Sequence, residues 1–89
     1  MEISEVKIFR MENKGKLLAY ANVVLNNSIV LRGIKIINGS RGVFIAMPAK
    51  ANAKRKGNKF IEFYHPINSE TRAELTHAIL KKYEETLDE

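Results

Sequence analysis

The chain alternates between short apolar runs and compact polar breaks. Ile3 to Met11, Leu17 to Leu25, Ile29 to Ile37 and Val43 to Met47 are rich in β-branched and aromatic residues and read as strands. Asn13-Lys14-Gly15, Asn26-Asn27 and Asn38-Gly39-Ser40-Arg41-Gly42 separate them. Asn and Gly tolerate positive φ, so these breaks are turn chemistry. Asn26-Asn27 suits a two-residue type I′ turn, and Asn13-Lys14-Gly15 a three-residue loop. Connections this short join antiparallel strands, because a parallel crossover needs about a dozen residues or more. Pro48 stops the fourth run, since proline donates no ladder hydrogen bond.

Ala49 to Asn58 loses its large apolar residues and carries Lys50, Lys54, Arg55 and Lys56, which reads as a basic loop. A fifth short strand, Lys59 to Tyr64, follows, and His65 before Pro66 is extended. Asn68 and Ser69 are N-cap residues, with Glu70 and Glu74 placed to favour the first turns of a helix. At 100° per residue, Leu75, Thr76, Ile79, Leu80, Tyr83 and Leu87 share one side, and Glu74, His77, Lys81, Glu84 and Asp88 the other. The expected fold class is α+β: an antiparallel β-meander of four to five strands with one C-terminal amphipathic α-helix packed on the sheet. The sheet falls within residues 2–64, the basic loop at 49–58 and the helix at 69–87 of a single domain spanning residues 1–89.

One helix covers one sheet face, yet the third and fourth strands are apolar on both. Val30, Ile34 and Ile36 point one way and Ile29, Leu31 and Ile37 the other; Val43, Ile45 and Met47 oppose Phe44 and Ala46. The expectation is that the second face, or a sheet edge, meets another copy, giving a homodimer.

Composition narrows the classes. There is no cysteine, so disulfides, thiolate chemistry and cysteine zinc sites are excluded. No run approaches the roughly 20 apolar residues of a membrane helix. The Met-Glu-Ile-Ser-Glu start lacks the basic and apolar regions of a signal peptide, so a cytoplasmic protein without membrane insertion is expected. His65 and His77 have no second imidazole at ligand spacing and no cysteine to join them; His65 reads as a backbone hydrogen-bonding group at the strand-to-helix corner. The serines are turn or cap residues with no histidine and acid beside them, so no enzyme is expected and no cofactor is implied.

The net charge of +5 is unevenly placed. Residues 1–67 carry +8 and residues 68–89 carry −3. Between Asn13 and Ile61 there are ten Lys or Arg and no carboxylate. A long stretch of one sign attracts polyanions, of which nucleic acid is the commonest. The candidate contacts are Lys50, Lys54, Arg55, Lys56 and Lys59 on and beside the loop, with Arg72 at the helix N-terminus. Arg72 has a second reading as a structural salt bridge to Glu62. Among Phe60, Phe63 and Tyr64, aromatics that flank the loop, Phe60 reads as core and Tyr64 as the more exposed.

Gly42-Val43-Phe44-Ile45-Ala46-Met47-Pro48, then Phe60-Ile61-Glu62, His65-Pro66-Ile67 and Ser69-Glu70-Thr71-Arg72, resemble the stage V sporulation protein G (SpoVG) family of bacterial septation regulators. The resemblance runs from Glu2-Ile3 through Tyr83. It implies an antiparallel sheet with a C-terminal helix, dimers formed through the sheet, and no cofactor or catalysis. It also implies a part in septum formation and in developmental or virulence gene expression, with DNA and, in some members, RNA as partners. Members occur in bacteria that make no spores, so sporulation itself does not follow. The chain departs from the family at Glu62, usually Asp, and at Tyr64, usually small; Lys50 matches the family's basic loop and Lys54-Arg55-Lys56 is a dense version of it. Glu84, Glu85, Asp88 and Glu89 work against a phosphate contact by the tail. The other reading is a protein-interaction module that meets septation proteins without binding nucleic acid.

Overall fold

A computed structural model describes residues 2–11, 15–51 and 60–87. Strands β1 (Ile3–Arg10), β2 (Leu17–Leu25), β3 (Ile29–Gly39) and β4 (Gly42–Ala46) form one antiparallel meander in the order β1-β2-β3-β4. Strands β5 (Ala49–Ala51) and β6 (Phe60–Glu62) pair antiparallel in a separate ribbon, and helix α1 (Ser69–Leu87) closes the chain. The α+β architecture is the one the hydrophobic pattern predicts. Among the described residues, no helix is long and apolar enough to cross a membrane.

The β2–β3 turn follows its chemistry. Asn26 and Asn27 have φ of 51° and 50°, and the Ser28 amide donates to the Leu25 carbonyl at 2.9 Å. Positive φ at both central residues is the type I′ signature, whose twist matches the strands it joins. The N-terminus locks onto this turn: the Glu2 amide donates to Asn26 Oδ1 at 2.9 Å, and the Asn27 amide to Ser4 Oγ at 2.8 Å. The turn at Asn13-Lys14 lies outside the described residues.

The core sits between the helix and one sheet face. Ala19, Ala21 and Val23 of β2 are fully buried, with Ile34 and Ile36 of β3 and Ile45 of β4 beside them. Alanines on this central strand keep its surface low, so Leu75 and Ile79 of α1 can be buried over the sheet. Of the predicted apolar stripe, Thr76, Leu80 and Tyr83 are half-buried, whereas Leu87 in the last turn is exposed.

Two expectations are corrected. Strict alternation puts Val30 with Ile34 and Ile36. The register instead pairs Val30 with Val24 on the uncovered face and Leu31 with buried Val23 on the helix face. A β-bulge at Arg32-Gly33, opposite Asn22, shifts the register between these residues and reverses the alternation. Gly33 takes φ 84°, and its amide donates to Asn22 Oδ1 at 3.3 Å. The second correction concerns the strand after the loop, which does not extend the meander. It pairs with Ala49–Ala51, a segment that reads as loop, and forms the separate ribbon. After Met47-Pro48 breaks the ladder, the two short segments satisfy their backbone groups against each other.

Candidate nucleic-acid interface

Two of the six predicted contact residues fall within the described structure. Lys50 lies exposed at the centre of β5, opposite Ile61 of β6. Lys54, Arg55, Lys56 and Lys59 lie outside the described residues. The ribbon is tied at its base, where the Phe63 amide donates to the Pro48 carbonyl at 2.8 Å. The chain then passes β3, where the Tyr64 hydroxyl donates to the Arg32 carbonyl at 2.6 Å. It turns at His65, whose Nδ1 lies 2.9 Å from the Pro66 carbonyl, the backbone bond expected at this corner. That carbonyl can only accept, so Nδ1 carries the proton.

Asn68 caps the helix: its Oδ1 accepts the Thr71 amide at 2.7 Å. Arg72 follows in the first turn, exposed. Among the described residues the one ion pair is Lys7–Glu5 at 3.8 Å, so Arg72 forms no bridge to Glu62 and its guanidinium is held by no carboxylate. The aromatic assignment is corrected here. Phe63 is the exposed ring, at 65%, and Tyr64 is half-buried against the core, anchored by its hydroxyl. Burial pushes the Tyr64 phenol above its ordinary range. The Phe60 side chain lies outside the description.

The remaining described cations spread along the carboxylate-free span. Lys16, Arg32, Lys35 and Arg41 are all exposed. Lys35 has a setting the linear sequence did not disclose. Strand pairing places it in one row with Phe9 and Tyr20 on the sheet face that α1 leaves open. The alternation of β1 and β2 carried half of that signal; the register across three strands carried the rest. No cluster of His, Asp or Glu able to hold a metal ion occurs among the described residues.

Comparison with known proteins identifies the family. The SpoVG family profile matches residues 1–85. The chain is 44% identical over 87 residues to a protein of Anaeromyxobacter sp. (strain K) named "Putative septation protein SpoVG", covering 98% of this chain and 82% of that protein. Proteins of the same name from Bdellovibrio bacteriovorus and Thermoanaerobacter sp. (strain X514) are 42% and 40% identical, and the match covers 77% and 94% of their lengths. With a profile match over nearly its whole length and relatives at 40–44% identity, the chain belongs to the SpoVG family.

Proposed function

We propose that the chain is a non-enzymatic septation regulator of the SpoVG kind that acts as a homodimer on nucleic acid in the cytoplasm. The observation that carries this reading is the span from Asn13 to Ile61, which has ten cations and no carboxylate and includes the whole of β2, β3 and β4. Cations without acidic neighbours keep their charge available for phosphates. Lys50, Lys54, Arg55, Lys56 and Lys59 supply a backbone clamp, and Arg72 adds a guanidinium at a capped helix N-terminus. Loop lysines position the partner; they do not read its sequence.

The edges of the sheet support the dimer. Glu5, Lys7 and Arg10 put charge on β1, and the Arg10 guanidinium donates to the Thr86 carbonyl of α1 at 3.1 Å. β4, Gly-Val-Phe-Ile-Ala, has no charge, and no described strand pairs with its outer side. Its Val43 is 39% exposed. An apolar, unprotected edge is a template for pairing with a second chain. Light scattering should give a dimer mass, and Val43→Lys should yield a monomer.

Fluorescence anisotropy against labelled DNA and RNA at two salt concentrations tests the binding. Affinity should fall steeply with salt, and replacing Lys54, Arg55 and Lys56 by Gln should weaken all sequences alike. No binding at low salt defeats the reading.

A second reading, a septation-partner module, has its own observation. Ile67 is 89% exposed beside an apolar cleft of about 310 Å³ lined by Leu25, Leu31, Met47, Tyr64 and Leu75. A division protein that stays bound after nuclease treatment, and is lost with Ile67→Asp, favours it.

A further inference from the structure

We propose that the open face of the sheet is a stacking platform for single-stranded nucleic acid. The inference deepens the nucleic-acid reading above and rests on it, but assigns a site outside the basic loop and the helix. The β1–β2–β3–β4 register aligns Phe9, Tyr20, Lys35 and Ala46 in one row. A second row holds Leu17, Ile37 and Phe44. On the other side of the first row, Lys7 is opposite Asn22. Each of these strands sends its alternate residues, among them Val6, Ala21, Ile36 and Ile45, to the helix side. The first row therefore faces away from α1.

The face is apolar and charged at once. Phe9 is 52% exposed and Phe44 47%, while Lys7 and Lys35 are both exposed. The Glu5 carboxylate on this face lies 3.8 Å from Lys7. Phe9 and Tyr20 are direct cross-strand partners, so their rings rise from strands ~4.8 Å apart. Neighbouring aromatics on a sheet stack successive unpaired bases, and lysines beside them take the phosphates. A duplex keeps its base faces inside the helix and offers nothing to these rings.

A second copy is the competing occupant, and charge decides against it. Closing this face on itself would take Lys35 of each subunit out of water; β2, β3 and β4 provide no carboxylate to meet it, and Glu5 of β1 already lies 3.8 Å from Lys7. An ammonium buried without a partner is strongly unfavourable. The uncharged β4 edge offers a second copy a surface without that cost. A nucleic acid strand brings its own anions.

The test is anisotropy of the full chain with labelled oligothymidylate, oligouridylate and a DNA duplex of the same length. Tyr20→Leu and Phe9→Leu should each weaken binding of the two single strands about tenfold and leave duplex affinity unchanged. Lys35→Gln, a surface change that leaves the core intact, should weaken single-strand binding and flatten its salt slope by about one ion. Ultraviolet crosslinking to oligouridylate should label the peptide containing Tyr20. Single-strand affinities unchanged in Tyr20→Leu and Lys35→Gln overturn the platform; if duplex binding and its dependence on the loop lysines persist, the broader reading stands. Loss of the dimer in Tyr20→Leu with unchanged single-strand binding also overturns it, because the face then belongs to self-association. No binding of any probe at low salt defeats both.

Discussion

The Phe44 ring lies directly over Gly39. A β-carbon built on Gly39 would stand 2.6 Å from Cε1 of Phe44 and 3.0 Å from Cδ1. Gly39 is missing a side chain so that the ring can lie along the sheet beside the β3–β4 turn, half exposed on the open face. Gly39→Ala should push the ring aside at a net cost of about 1 kcal/mol, set by crowding against the smaller chain-entropy gain. Chemical denaturation measures the cost, and displaced Phe44 aromatic resonances would confirm its cause.

Gly33 is needed for the opposite reason. A β-carbon there would meet only Pro48 Cβ at 3.9 Å, an ordinary contact, but φ is 84°. Gly33→Ala should therefore destabilise by about 1–2 kcal/mol through backbone strain alone. A variant as stable as the parent in urea would contradict the bulge.

Asn68→Ala removes the acceptor for the Thr71 amide and should cost about 1 kcal/mol. Asn68→Asp keeps the oxygen and should retain most of the stability. Thermal melts of the three proteins decide the matter; equal melting points for Ala and Asn would mean the cap contributes nothing.

Tyr64→Phe deletes the hydroxyl that donates to the Arg32 carbonyl, at about 1 kcal/mol near neutral pH. Burial raises the Tyr64 pKa in the folded state, so below the ordinary tyrosine value of about 10 the native phenol contributes fully. As pH rises from that value through the raised one, the unfolded chain releases its proton first and stability declines. The Phe variant should show a shallower alkaline decline; an identical slope would remove Tyr64 as its source.

Ile79 is fully buried in the core cluster that also holds Ala19 and Ala21. Ile79→Ala should cost about 2–5 kcal/mol and Ile79→Val about 1 kcal/mol. In so small a domain the first change takes a large share of the total stability. Hydrogen exchange in α1 should accelerate in parallel.

What was legible in the sequence was local. Asn26-Asn27 specifies its turn through two residues, and Asn68 its cap through one, so hairpin and helix could be read directly. The side of Val30 could not, because the bulge depends on Gly33 meeting Asn22 of the neighbouring strand. Ala49-Lys50-Ala51 carries no strand pattern and becomes β5 only by pairing with Phe60–Glu62. Tyr64 looked exposed because its anchor, the Arg32 carbonyl, is 32 residues away in the chain. Of the charged candidates, Lys50 and Arg72 are placed as exposed cations. The row of Phe9, Tyr20 and Lys35 stayed hidden because no single strand contains it.

The uneven placement of charge has a consequence for how the molecule travels. Among the described residues α1 carries four carboxylates and three cations, a net −1, while the segments before it carry seven cations and three carboxylates, a net +4. Helix and sheet are the two layers of the body, so these charges make a permanent electrical dipole. Near any polyanion it experiences a torque before contact, which turns the cationic side forward and the acidic side away. Collisions are thereby sorted by orientation at a distance, and added salt shortens the range over which that sorting operates.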